Sequence, residues 1–263
     1  MSHHYHPWLD VQWHFSFTWT VLGAIAARTE RVALVTGVTC PMVRCHPEII
    51  AQAAATLALV SDGRFAPGVG SGERLNEHVV GRGFPDHVRE RHELLREALE
   101  IIRLLWRGGY RSHHGKHLRL SDARVFDLPE ELPLIAVAAS GPLSARFAAE
   151  LGDGLFATED KASIVQHYRG AGGSGPEYAE VPMAWAPDER SAWAGSSGPR
   201  AQAGSRGRGG RSRLTAPTTP RTTPRSIKSC ELSRSSSAVA RTWPGPAGRL
   251  RIAVASSGAM TEK

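Results

Sequence analysis

Cysteine is scarce in this 263-residue chain: Cys40, Cys45 and Cys230 are the three. So few, in an odd number, argue against a disulfide framework and fit a reducing compartment. No run approaches the roughly 18 apolar residues of a membrane helix. The start, MSHHYHPW, lacks the apolar stretch of a secretory signal. The expectation is a soluble, cytoplasmic body without a membrane partner. Internal repeats are absent. Negative charge is nearly missing after Arg190: Ser191 to Lys263 hold 2 Asp+Glu against 13 Lys+Arg. The formal net charge of +7 therefore belongs to that end, since the first 190 residues hold 23 acidic and 19 basic residues. A mildly acidic body is what an ordinary soluble enzyme presents.

Two kinds of sequence meet near Arg190, giving an expected domain over 1–190 and a tail over 191–263. In the first, apolar runs alternate with helical patterns. Ser16 is placed to cap a helix whose Phe17, Val21, Ala24, Ile25 and Arg28 share helical spacing. Arg31–Thr39 reads as a strand stopped by Pro41. Pro47 opens a helix with an apolar stripe at Ile49, Ile50, Ala53, Ala54 and Leu57. Asp62-Gly63 turns the chain into a strand, 64–72, with a glycine-rich exit. Asp86 is placed to cap the longest helix, with Leu95, Leu99, Ile102 and Trp106 on one face and Gly108-Gly109 at its end. Tyr110–Leu120 reads as a polar hairpin turning at Gly115. A buried strand over Pro133–Ala139 precedes a helix over Pro142–Leu151, a short strand ending at Thr158 and a helix over 161–169. Val181–Ala186 is a further candidate strand. Strands alternating with helices imply βαβ units and a parallel sheet buried on both faces.

The tail offers little to bury. GSRGRGGRSRLTAPTTPRTTPRS holds few large apolar residues, so it is expected to be disordered. One reading is an RGG-like arm that binds nucleic acid through counterion release. The stacking aromatics such an arm uses are reduced to Trp193 and Trp243. The other reading, out-of-frame translation of GC-rich DNA, weighs more. Nucleic acid is expected as a partner only through this tail.

Three stretches could carry chemistry. Histidine titrates near neutral pH, so Ser2-His3-His4-Tyr5-His6-Pro7-Trp8 could supply a base beside an aromatic wall, ligate a metal, or be a solvated terminus. In Gly68-Val69-Gly70-Ser71-Gly72-Glu73-Arg74-Leu75-Asn76-Glu77, small residues at a strand end let backbone amides approach a phosphate or a flat ring. A dinucleotide-binding turn would run straight into an apolar helix, whereas Gly81, Gly83 and Pro85 interrupt one here. Read alone, Glu73 is as well a turn cap, Asn76 a turn residue and Lys161 a solvated helix start. His113, His114 and His117 lie on a hairpin and are expected to be exposed non-ligands, and Cys40 with Cys45 lacks the second pair a zinc site needs. No metal is expected.

The stretches SHHYHPW, TGVTCPMVRCHPEIIAQAAATLALVSDGRF, GVGSGERLNEHVVG, REALEIIRLLW, PLIAVAASGP and GDGLFATEDK resemble, in order and spacing, the coenzyme F420-dependent oxidoreductases of the luciferase-like family. The similarity is to the branch of the F420-dependent glucose-6-phosphate dehydrogenases and covers about 1–190. It implies an α/β fold, an incomplete (β/α)8 TIM barrel of the luciferase-like type. The implied activity is hydride transfer between an alcohol or hemiacetal and coenzyme F420, with an FMN-dependent monooxygenase or an inactive product as alternatives. A homodimer is also implied. By the same resemblance His4 takes the substrate hydroxyl proton, Trp8 packs at the reacting centre and Glu73 delivers a proton to the reduced ring. Gly37, Val38, Gly72, Asn76, Ala139, Ser140 and Gly141 hold the cofactor, with a cis peptide at Gly37-Val38. Thr158 and Lys161 hold the substrate, a sugar phosphate in the glucose-6-phosphate enzyme.

Three departures stand out. His3 occupies the place of an aspartate that would orient the base. Pro67 removes a ladder hydrogen bond inside a strand. Met1 falls where the family's second strand ends, and the tail replaces the final elements, so a barrel lacking three of eight strands is expected not to close.

Overall fold

The computed structural model describes residues 1–7, 15–81, 83–159, 161–180 and the backbone of 251–253. The chain separates into two units, Met1–Ser205 with Arg249–Lys263, and Arg206–Gly248. Every described residue belongs to the first. Trp8, the candidate strand over 181–186 and the tail apart from 251–253 lie outside the described residues.

The wall is built from parallel strands. β1 (Leu34–Val35) pairs with β2 (Phe65–Ala66), and β3 (Gly68–Val69) pairs with β6 (Ala136–Ala139). β6 then pairs with β7 (Gly154–Ala157), β7 with β8 (Glu177–Glu180), and β8 with β9 (Arg251–Ala253). Neighbours follow chain order without the reversal of a doubly wound sheet, which is the progression of a barrel wall. Among the described residues the wall does not close. β9 falls inside the segment read from sequence as a structureless tail.

Among the described residues there are six α-helices: α1 (Thr18–Arg28), α2 (Pro47–Val60), α3 (Arg74–Glu77), α4 (Val88–Leu105), α5 (Pro142–Leu151) and α6 (Ala162–Gly170), of which α2, α5 and α6 pack on the wall strands. β4 (Arg111–His114) and β5 (Arg119–Ala123) form the expected hairpin. Its turn is pinned by Glu97 of α4, whose carboxylate accepts backbone N–H bonds from Lys116, His117 and Leu118. His114 is exposed there, while His117 is half-buried against Glu93.

Helical spacing locates α4 correctly: Leu94, Leu95, Ala98, Leu99, Ile101, Ile102 and Leu105 are buried. Each such leucine or isoleucine contributes about 1.5–3 kcal/mol. On α2 the buried face is Ile50, Ala51, Ala54, Ala55, Leu57 and Ala58, while Ile49 is exposed. The expected stripe is thus rotated by about one position, because alanines let α4 approach closely enough for Trp106 Nε1 to donate to Ala51 O at 3.0 Å.

Two expected caps fail. Neither α1 nor α4 has a side-chain N-cap bond; they start after Phe17 and His87, and Asp86 pairs instead with Arg74. The C-terminal end of α1 is closed by Arg64, whose guanidinium donates to Ala26 O at 3.0 Å and Thr29 O at 2.7 Å.

The strand expected over 64–72 is broken at Pro67 into β2 and β3. Thr36 repairs the break: its hydroxyl donates to Gly68 O at 2.8 Å and accepts from Gly68 N at 2.9 Å. A Cβ on Gly68 would lie 2.0 Å from Thr36 O, so only glycine fits.

Candidate active site

The site lies at the C-terminal ends of the strands, the face where α/β barrels carry their chemistry. Met1 donates to Val35 O and accepts from Gly37 N, both at 2.8 Å, which lays the N-terminal segment beside β1 as one rung of a parallel ladder. Ser2 Oγ donates to Gly37 O at 2.9 Å. His4 then stands 3.3 Å from Glu73, Nε2 to Oε1. Two candidates far apart in the chain are therefore brought together.

Asn76 is the strut between them. Its side chain is buried in α3, where Nδ2 donates to Glu73 Oε1 at 2.7 Å. Its Oδ1 accepts from the backbone N–H of Tyr5 at 2.6 Å and His6 at 3.0 Å. The turn-residue reading of Asn76 is thereby replaced. Glu73 sits at the N-cap position of α3 but makes no side-chain cap bond.

Burial pushes the His4 imidazole below its ordinary pKa; Glu73 partly opposes this and Arg44 adds to it. The ring is thus neutral at ordinary pH and able to accept a proton.

Beneath this pair lies a charged layer that sequence reading missed. Arg44 N donates to Glu77 Oε2 at 3.0 Å, and Arg44 Nε lies 3.6 Å from Glu77 Oε1. The Arg44 and Glu77 side chains are 8% and 2% exposed. Burial nevertheless raises the Glu77 pKa. Arg44 also donates to His3 O and faces His3 Nε2 at 3.3 Å. A guanidinium only donates, so Nε2 is the acceptor and the ring proton sits on Nδ1. That Nδ1 is buried without a hydrogen-bond partner. Burial first, then Arg44 and His4, hold His3 down to about 3. His3 is therefore a neutral packing group, edge-on to Phe17 and Trp19, and no substitute for a carboxylate. The sequence signal, VRC and LNE, was visible; the burial of its charges was not.

The cofactor-side candidates line the strand exits. Gly37-Val38 is a cis peptide. Gly72 adopts φ +69°, and a Cβ there would meet Cys40 Sγ at 2.6 Å. Cys40 is buried and unpaired, and burial raises its thiol pKa well above the ordinary value. Ala139 ends β6, and the amides of Ser140 and Gly141 face Ser144 Oγ at 3.1 and 3.2 Å at the start of α5. A Cβ on Gly141 would meet nothing within 4 Å. A phosphate there would compete with the Ser144 hydroxyl for the Ser140 and Gly141 amides, at a helix N-terminus that favours negative charge. After β7, Thr158 Oγ1 donates to Ala139 O at 3.3 Å, and Lys161 pairs with Glu159.

A cavity of about 770 Å³ is lined by Tyr5, His6, Phe17, Arg44 and His78 among others. Among the described residues no group of His, Cys, Asp or Glu is arranged to hold a metal, and no helix is long and apolar enough to cross a membrane.

Residues 2–227 match the model of a family described as luciferase-like monooxygenase. The chain is 44% identical over 156 residues to the F420-dependent hydroxymycolic acid dehydrogenase of Mycobacterium tuberculosis, covering 59% of this chain and 43% of that protein. It is 41% identical over 162 residues to an F420-dependent glucose-6-phosphate dehydrogenase of Nocardia farcinica, covering 61% and 48%. The chain thus spans about half the length of the relatives it matches. Among solved structures it resembles an F420-dependent secondary alcohol dehydrogenase in complex with an F420–acetone adduct. There the TM-score is 0.67 at 27% identity, covering 74% of this chain and 63% of that one. A coenzyme F420-dependent tetrahydromethanopterin reductase from Methanopyrus kandleri, at TM-score 0.58 and 24% identity, shares the fold.

Proposed function

Because the chain belongs to the luciferase-like monooxygenase family, we propose that it acts as a coenzyme F420-dependent oxidoreductase on a small alcohol or hemiacetal. The observation that carries this reading is the His4–Glu73 contact of 3.3 Å at the strand ends. The relatives named for F420 chemistry support the choice of cofactor.

When bound, F420 supplies the hydride acceptor; the cofactor performs the difficult chemistry and the protein orients it. Ser140 and Gly141 at the α5 N-terminus would hold its phosphate, and Gly37, Val38, Gly72, Asn76 and Ala139 would hold its ring. His4 holds the proton leaving the substrate hydroxyl. Its neutral ring is suited to that, and the Glu73 carboxylate beside Nε2 offsets the charge that forms. The proton taken by His4 would pass to Glu73, which Asn76 keeps in place, and Glu73 would give it up on the cofactor side, so that hydride and proton both leave the substrate for F420. Trp8 is assigned to the wall of the reacting centre, and Thr158 and Lys161 to the substrate side. Unpaired Cys40 and Cys45 support a cytoplasmic location.

The test is F420 binding by the purified chain, followed by the cofactor's fluorescence, then loss of that fluorescence when a secondary alcohol is added. Binding of FMN in its place, or of neither, would refute the reading.

A further inference from the structure

We infer that the strand-end face selects uncharged alcohols over phosphorylated ones, and that Glu159 is the specificity-determining residue, acting by holding Lys161. This rests on the oxidoreductase reading above and names its substrate class.

The argument is one of charge. Three strand ends each deliver a carboxylate to this face: Glu73 follows β3, Glu159 follows β7 and Glu180 ends β8. Burial raises the Glu180 pKa; the Met1 ammonium opposes this, and the neighbouring Glu73 charge adds to it. Among the described residues, the cations near these ends are committed. Lys161 pairs with Glu159, Arg74 with Asp86, and Arg44 with Glu77 beneath the site. The Met1 ammonium donates to Val35 O. A phosphate dianion needs cationic or N–H donors to offset its desolvation. The Ser140 and Gly141 N–H groups at the start of α5, which now donate to Ser144 Oγ, are one such place, and it is the one assigned above to the cofactor's phosphate.

A second phosphate would have to take Lys161. In Thr158-Glu159-Asp160-Lys161 the formal charge is two negative against one positive. The Thr158 hydroxyl already donates to Ala139 O. A phosphate approaching Lys161 must displace Glu159 and meet its repulsion. A neutral hydroxyl faces neither cost, since it needs only His4 and Glu73. The Lys161 and Glu159 side chains are 51% and 46% exposed, so replacing them leaves the core untouched.

The test is calorimetric titration of the whole chain with inorganic phosphate. Wild type, Lys161→Met, Glu159→Gln and the double variant would be compared, with circular dichroism to confirm folding. Wild type and Lys161→Met should titrate alike, because any phosphate at α5 is common to both. Glu159→Gln should bind roughly fivefold tighter, the scale of releasing one exposed ion pair and one like charge, and adding Lys161→Met should cancel the gain. With F420 present, the ratio of kcat/KM for glucose 6-phosphate to that for cyclohexanol should rise by a similar factor in Glu159→Gln. Wild-type phosphate binding that Lys161→Met weakens, or a Glu159→Gln variant titrating like wild type, would overturn the inference. Titration requires no catalysis, so its failure is distinguishable from failure of the oxidoreductase reading.

Discussion

At the residue scale the proposed chemistry depends on a histidine kept neutral and a carboxylate kept adjacent. His4→Ala should lower kcat/KM by about 10²–10⁴, the usual range for a positioned acid–base group. Burial lowers the His4 pKa and Glu73 opposes that shift. The acid limb of the kcat/KM profile should therefore lie below pH 6.5, and Glu73→Gln should move it lower still. An unmoved limb in that variant would assign the limb to another group. Asn76→Ala should reduce activity without abolishing the fold, because it frees Glu73 and the Tyr5 and His6 amides together.

At the element scale the break at Pro67 is the weak point of the wall. Proline has no N–H to give the ladder, and Thr36 substitutes with a side-chain hydroxyl that serves both Gly68 N and Gly68 O. Thr36→Val keeps the shape but leaves the buried Gly68 N–H without its partner, while Gly68 O still accepts from Thr39 N at 2.8 Å. The substitution should cost about 1–3 kcal/mol, read as a lower urea midpoint. Gly68→Ala should be more damaging, since its Cβ would collide with the Thr36 carbonyl. The same break explains why β1 and β2 form their own pair while β3 joins β6. A proline in a strand was legible in the sequence; the threonine that compensates was not, because it lies just past the end of β1, 32 residues before Gly68 in the chain.

At the scale of the whole molecule, acid should destabilise the fold through His3. In the folded state its pKa is held to about 3, against an ordinary 6.5. Between those values the unfolded chain takes up a proton that the folded chain refuses, so stability is complete above pH 6.5 and falls as pH drops toward 3. The slope is at most about 1.4 kcal/mol per pH unit for this group. Urea midpoints at pH 7 and pH 5 should differ clearly in the wild type and less in His3→Gln. Equal slopes would mean that His3 is already exposed to solvent.

Local pattern determined much of this protein from sequence alone. α5 runs over Pro142–Leu151 as read, because a helix-starting proline and a terminal glycine bracket it. The hairpin, the face of α4 and the alternation that makes a parallel wall were equally legible, since each depends on residues a few positions apart. His4 and Glu73 were identifiable as candidates by resemblance. Only the tertiary structure decided that they meet, that Arg44 and Glu77 lie buried beneath them, and that Glu159 claims Lys161. Periodicity reports which face of an element is apolar. Strand register and packing decide which charged groups from distant elements share a low-dielectric site, and no local pattern encodes that.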